Sequence, residues 1–192
     1  GGVAAAGAAA AAAAAAPPPE APQQPENPVE AGEAPADMFK ATEGRWGTRE
    51  VEITSVTLEG EDGAPGHVFQ SGEAVTVRMR VRAHEPTRDF VFGFGLFNAD
   101  GVCCYGTNTN LEDLEPEELS GECEVEFAID SLLLVEGTYR LDLAVHKLDG
   151  YPYDYHRQLY SFRVKSRVRD VGIYRPGHTW RFTGNVRFKN RQ

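Results

Sequence analysis

The feature that most constrains this chain is strict alternation of apolar and polar residues. Between Ala74 and Ala83, Val75, Val77, Met79 and Val81 take turns with Thr76, Arg78, Arg80 and Arg82. Successive side chains of an extended strand point to opposite faces, so a period of two requires a strand with one dry and one wet face. The pattern recurs along the chain. Phe90, Phe92, Phe94 and Leu96 share one face, and Val91, Gly93, Gly95 and Phe97 share the other. Cys123, Val125 and Phe127 alternate with Glu122, Glu124 and Glu126. Tyr139, Leu141, Leu143 and Val145 alternate with Arg140, Asp142, Ala144 and His146. A closing strand over 159–165 turns Tyr160, Phe162 and Val164 inward. An earlier strand over 49–58 slips phase between Ile53 and Val56, the signature of a bulge.

Turn residues separate these runs. Asn98-Ala99-Asp100-Gly101 sends residues 102–109 back antiparallel, and Leu148-Asp149-Gly150 reverses the chain again. Pro116 limits 111–119 to a loop excursion. Leu132 to Val135 reads as a corner crossing between sheets, which the Tyr139 hydroxyl is placed to anchor. No segment has helical periodicity. The expectation is an all-β, immunoglobulin-like or jelly-roll antiparallel sandwich over residues 41–182.

Residues 1–40 are Ala, Pro, Glu, Gln and Gly in the main. Such a segment buries too little apolar surface to offset its ordering entropy, so it reads as a disordered linker, semi-rigid from Pro17 to Pro35. The Ala run has no basic start and no Leu, Val or Phe core, which argues against a signal peptide. No apolar run approaches the roughly 20 residues of a membrane-spanning helix, so no direct membrane insertion is expected. Residues 183–192 form a basic tail. No acid follows Asp170, whereas Arg175, Arg181, Arg187, Lys189 and Arg191 do. That end either docks on an acidic patch of another subunit or is simply solvated.

The formal net charge is −10, from 29 acidic and 19 basic residues. It repels phosphate backbones, which excludes general nucleic-acid binding. Cys103, Cys104 and Cys123 form no C-x-x-C pair, and adjacent half-cystines bridge only with strain, so three free thiols and a reducing compartment are expected. The five histidines lack ligand spacing for zinc. Asp149 and Asp154 fall short of a calcium ligand set. No cofactor or metal is expected.

No phosphate loop G-x-x-x-x-G-K-[ST] and no G-x-S-x-G elbow occurs. Glu122, Glu124 and Glu126 read more simply as a solvated face than as a glycosidase acid pair. The chain is therefore read as a non-catalytic binder.

Gly93 and Gly95 put no side chain on the face opposite the core, and Ala144 puts only a methyl there. Glycines on an exposed strand face let a ligand approach the backbone, or else relieve crowding where surfaces pack. If the strands share a sheet, Arg78, Arg80, Asp142 and His146 edge a shallow trough. Tyr105 and Asn108 lie in Tyr105-Gly106-Thr107-Asn108-Thr109-Asn110, a series of hydroxyls and amides. Tyr153 and Asp154 lie in the aromatic stretch after Gly150, read as a turn in which at least one tyrosine caps the sandwich end. Planar polar groups beside aromatic rings suit a neutral sugar.

Several segments together resemble one family. They are Gly47-Thr48-Arg49-Glu50-Val51-Glu52-Ile53; Ser71-Gly72-Glu73; Phe92-Gly93-Phe94-Gly95-Leu96-Phe97-Asn98; Asp100-Gly101 followed by Tyr105-Gly106-Thr107-Asn108-Thr109; Gly137-Thr138-Tyr139-Arg140-Leu141; and Asp149-Gly150 with Tyr153-Asp154. In order and spacing they resemble the C-terminal, carbohydrate-binding domain of the nucleotide-binding subunit of O-antigen ABC transporters, over roughly residues 44–180. The resemblance implies a homodimeric sandwich that reads the non-reducing end of a lipid-linked polysaccharide. It implies transporter ATPase and membrane subunits as partners, at the cytoplasmic face of the membrane. It also implies that the leader connects to an ATPase domain, and that 171–180 is a closing strand able to cross to a partner. It transfers no sugar-binding residues. Two other readings remain open, a structural dimerisation module without glycan affinity and a glycosidase.

Overall fold

The computed structural model describes residues 44–184 and 186–189. The linker expected over 1–40 lies outside the described residues. Among them there is no helix, and nine strands build two sheets. These are β1 (Arg45–Trp46), β2 (Val51–Glu59), β3 (Val68–Gln70), β4 (Val75–Thr87), β5 (Val91–Asn98), β6 (Cys103–Asn108), β7 (Leu119–Ile129), β8 (Gly137–His146) and β9 (Pro152–Lys165). One sheet runs β1-β9-β8-β5-β6, with β3 beside β9, and the other runs β2-β4-β7. The expected sandwich is present. All pairings are antiparallel except the short parallel β3–β9 contact, which alternation alone does not foretell.

The inner faces close on one another as the alternation requires. Val75, Val77, Met79 and Val81 of β4 are buried against Phe94, Leu96, Leu141, Leu143 and Val145 of β5 and β8. On the outer face of β4 the register sets Arg78 opposite Glu126, Arg80 opposite Glu124 and Arg82 opposite Glu122. Arg78 also pairs with Glu59 of β2 at 3.1 Å. This is a solvated ion-pair ladder. Solvent and salt screen such exposed pairs, so each contributes little to stability.

The phase slip in β2 is a bulge between Ile53 and Ser55. It lets Val51 and Ile53 before it and Leu58 after it all face the core, although their numbering changes parity.

Between β7 and β8 the chain crosses from one sheet to the other through Leu132, Leu134 and Val135, all buried. The Tyr139 hydroxyl donates to the Val135 carbonyl at 2.9 Å, as expected for a corner anchor. Ser71 Oγ donates to the Leu134 carbonyl at 2.7 Å. Residues 171–175 lie along this corner, where the Val135 N–H donates to the Ile173 carbonyl and the Arg175 N–H to the Leu133 carbonyl. Tyr139→Phe keeps the ring in place and strands the Val135 carbonyl. We expect it to cost about 1 kcal/mol in urea denaturation with an unchanged m-value.

Candidate functional site

The outer face of the larger sheet is shaped by what its central strands omit. Gly93 lies between Asn108 of β6 and Ala144 of β8, and Gly95 lies between Gly106 and Asp142. Three glycines and an alanine on neighbouring strands leave a depression of about 250 Å³, lined also by Phe97, Cys103, Thr107, His146 and Tyr155. The two glycines are not equivalent. A Cβ on Gly93 would stand 3.6 Å from the Ala144 Cβ, an ordinary contact. A Cβ on Gly95 would stand 3.0 Å from the Phe97 ring and 3.2 Å from the Asp142 Cβ. Gly95 therefore also relieves crowding, whereas Gly93 opens space.

Asp142 is buried in the floor at 7% exposure. The Tyr155 hydroxyl donates to one carboxylate oxygen, and the Gln158 N–H donates to the other, both at 2.8 Å. The second bond exists because β9 bulges opposite Asp142: the register shifts between Leu141 and Leu143, and Gln158 sits at φ 51°. Burial pushes the Asp142 carboxyl above its ordinary range, while these two bonds and the Arg157 charge pull it back. Each oxygen keeps a lone pair for a further donor.

The raised value has a definite sign for stability. A carboxyl whose folded pKa exceeds its unfolded one binds protons more readily when folded, so it costs stability as pH rises through that range. At neutral pH Asp142 is a polar group retained against the interest of folding, a common mark of a functional position. Tyr155→Phe removes one compensating bond. The Asp142 carboxyl is then expected to titrate higher still, followed by carboxyl carbon NMR between pH 3 and 8.

His146 stands beside Gly93. Its Nδ1 lies 2.7 Å from the Lys147 carbonyl. A carbonyl only accepts, so Nδ1 carries a proton, and in the neutral form of the ring Nε2 is an acceptor. Nε2 lies 3.7 Å from where a Gly93 Cβ would stand, so it borders the trough. Asn108 accepts the Leu111 N–H at 2.8 Å through its side-chain oxygen, which leaves its NH₂ as a donor. Phe97 and Tyr155 supply ring surface, and Trp46 of β1 stacks on Tyr155 at 4.5 Å.

Five of the expected residues thus come together: Gly93, Gly95, Asn108, Asp142 and His146. Five do not. Arg78 and Arg80 belong to β4 in the other sheet and engage Glu59, Glu124 and Glu126, so they do not edge the trough. Tyr105 pairs with Leu96 and therefore leans to the inner side of edge strand β6. There it is 52% exposed over the apolar flank between the sheets.

Tyr153 and Asp154 are buried, because the aromatic stretch is the start of β9 and not a turn. Tyr153 caps the sandwich end, its hydroxyl donating to the Asp89 carbonyl at 2.9 Å. Asp154 is fully buried between the sheets beside Arg45. Reading 152–156 as a strand in register with β8 would have exchanged Asp154 for Tyr155, which faces outward opposite Ala144.

Comparison with known proteins identifies the family and the fold. The model of the family described as the Wzt C-terminal domain matches residues 42–176. A curated protein from Myxococcus xanthus, the O-antigen export system ATP-binding protein RfbB, is 27% identical over 130 residues, which are 68% of this chain. The matched stretch is 29% of that relative's length. The crystal structure of the C-terminal domain of wzt superposes with a TM-score of 0.65 at 19% identity, covering 72% of this chain and 87% of that one. At that identity the superposition establishes the shared fold.

Proposed function

Since the chain belongs to the Wzt C-terminal domain family, we propose that its sandwich is a non-catalytic glycan-recognition module of an O-antigen type polysaccharide exporter. The trough over Gly93 and Gly95 takes the non-reducing end of the lipid-linked polymer. One observation carries this reading: a glycine-floored depression that gathers a buried carboxylate, an imidazole acceptor, an amide donor and two aromatic rings on one open face. Sugars present hydroxyls around a ring with apolar C–H faces, which such a set matches.

The Myxococcus relative is named an ATP-binding protein of O-antigen export, which supports transporter ATPase and membrane subunits as partners. Beside such subunits the proposed module works at the cytoplasmic face of the membrane, and the proposal includes its acting there as a homodimer. Among the described residues no helix is long and apolar enough to cross a membrane. Catalysis belongs to the ATP-binding part of such a machine, and this chain contributes recognition.

The test is a bacterial glycan array probed with the chain, followed by NMR titration with the best polymer. Shifts are expected at the Gly93, Gly95 and Gly106 amides. An array without hits, or shifts confined to the opposite sheet, would reject the reading.

A second reading, a dimerisation module, draws on the apolar flank of about 430 Å³ lined by Phe94, Leu96, Phe127, Leu133 and Ile173. Light scattering before and after truncation behind Asp170 addresses it. An unchanged mass would count against strand exchange through the C-terminal segment.

A further inference from the structure

We propose that the trough selects an uncharged, hydroxyl-bearing sugar terminus and rejects anionic ones; this deepens the glycan reading above and rests on it. The argument is an inventory of donors and acceptors. Among the lining residues Asp142 carries the one formal charge at neutral pH, and no Lys or Arg is present. Its two oxygens each hold one internal bond, from Tyr155 and from the Gln158 N–H, and each retains capacity for one more donor. His146 turns an acceptor toward the same floor, because its Nδ1 proton is committed to the Lys147 carbonyl. Asn108 supplies the complementary donor, since Leu111 occupies its oxygen.

A lining of this kind asks its ligand for donors first and one acceptor second. Adjacent sugar hydroxyls meet both demands, because each donates and accepts. The charged group of a uronate or phosphate monoester meets only the second. Its oxygens only accept when ionised, so where that group takes the place of a hydroxyl, Asp142 and His146 are left without donors. Its charge would also meet the Asp142 carboxylate across a partly dry wall.

Two cations stand against this: Arg140, whose neighbour in register is Phe97, and Arg157, whose charge reaches Asp142 and Tyr155. Neither lines the depression. An anion drawn to either would sit beside the trough and leave the glycine floor uncovered.

The experiment is NMR titration of the full chain with two sets of probes. One set is the methyl α-glycosides of mannose, galactose, glucose and rhamnose. The other is methyl glucuronide, methyl galacturonide and mannose 6-phosphate. At least one neutral glycoside is expected to shift the Gly93, Gly95 and Gly106 amides, while the anions at equal concentration leave them still. Asp142→Asn should weaken the neutral ligand about tenfold or more and admit the anions more readily. His146→Phe, which keeps ring shape but removes the acceptor, gives a second measure should Asp142→Asn alter the fold by circular dichroism.

Anionic probes that move the floor amides as strongly as neutral ones would overturn the selectivity and leave glycan recognition standing. Unchanged neutral affinity in both variants would overturn it as well. Floor amides that respond to neither set would bring down the recognition reading and this inference with it.

Discussion

Asp154→Ala is expected to destabilise the domain by about 3–5 kcal/mol, the range for removing one partner of a buried ion pair. In a domain of this size that lowers Tm by on the order of 10 °C. Asp154 has no solvent exposure. Arg45 of β1 donates to both carboxylate oxygens, at 2.9 and 2.7 Å. The Ile53 N–H of β2 donates to one of them at 2.8 Å. His156 Nε2 lies 3.2 Å from the other. One carboxylate on β9 therefore holds the edge strand β1 and the opposite sheet at the β2 bulge. Without it, the Ile53 N–H loses its acceptor where the two sheets meet, and the Arg45 guanidinium keeps only Glu52 and the Ile53 carbonyl. Arg45→Met should cost less, because Arg45 is partly exposed and its removal leaves Asp154 the Ile53 N–H and His156.

The same residue sets an acid limb. Burial pushes the Asp154 carboxyl up, but His156, Arg45 and the Ile53 N–H together pull it down harder, to about 2 against an ordinary 3.8. A depressed folded pKa means the unfolded chain binds the proton first. Its contribution is complete above about pH 4 and is lost as pH falls through about 2. The wild type is expected to give up about 2 kcal/mol over that interval on this account, and Asp154→Ala should lack that share of the slope. Urea denaturation at pH 7, 4, 3 and 2 measures both effects. An Asp154→Ala midpoint within a few tenths molar of wild type at pH 7 would show that the cluster is not a clamp.

Gly93→Phe is expected to abolish glycan uptake, by on the order of 100-fold, with the fold intact; filling a site's central floor removes the desolvated contacts that dominate affinity. The position tolerates a side chain. A Cβ there makes ordinary contacts of 3.6 and 3.7 Å with Ala144 and His146. Phenylalanine is also favoured over glycine in a strand, so thermal stability should hold or rise. Gly95→Phe is the contrasting variant. Its Cβ would press the Phe97 ring at 3.0 Å, so lost binding there would come with lost stability. The pair separates an open floor from a packing glycine. A Gly93→Phe protein that still binds its polymer with wild-type affinity would remove the trough from the function.

Much of this protein was legible before any coordinates. The dry and wet faces of β4, β5, β7 and β8, the β2 bulge and the Tyr139 corner follow from alternation and turn chemistry, which act between near neighbours. The glycine floor was legible too, since a missing side chain on a known face needs no partner to be noticed. Long-range pairing was not. Alternation says which residues share a face, but not which strands share a sheet; it allows Arg78 and Arg80 beside the glycines, whereas β4 pairs with β2 and β7.

Phase within 152–156 was equally beyond local reading. A one-residue difference in register exchanges inside for outside, and here it buried Asp154 as the inter-sheet clamp and turned Tyr155 out to hold Asp142. Composition and periodicity thus determined that two β layers would close over a dry interior. Which polar groups ended up sealed inside, and which were gathered around the open floor, depended on hydrogen-bond register between strands distant in the chain, and tertiary packing alone decides that.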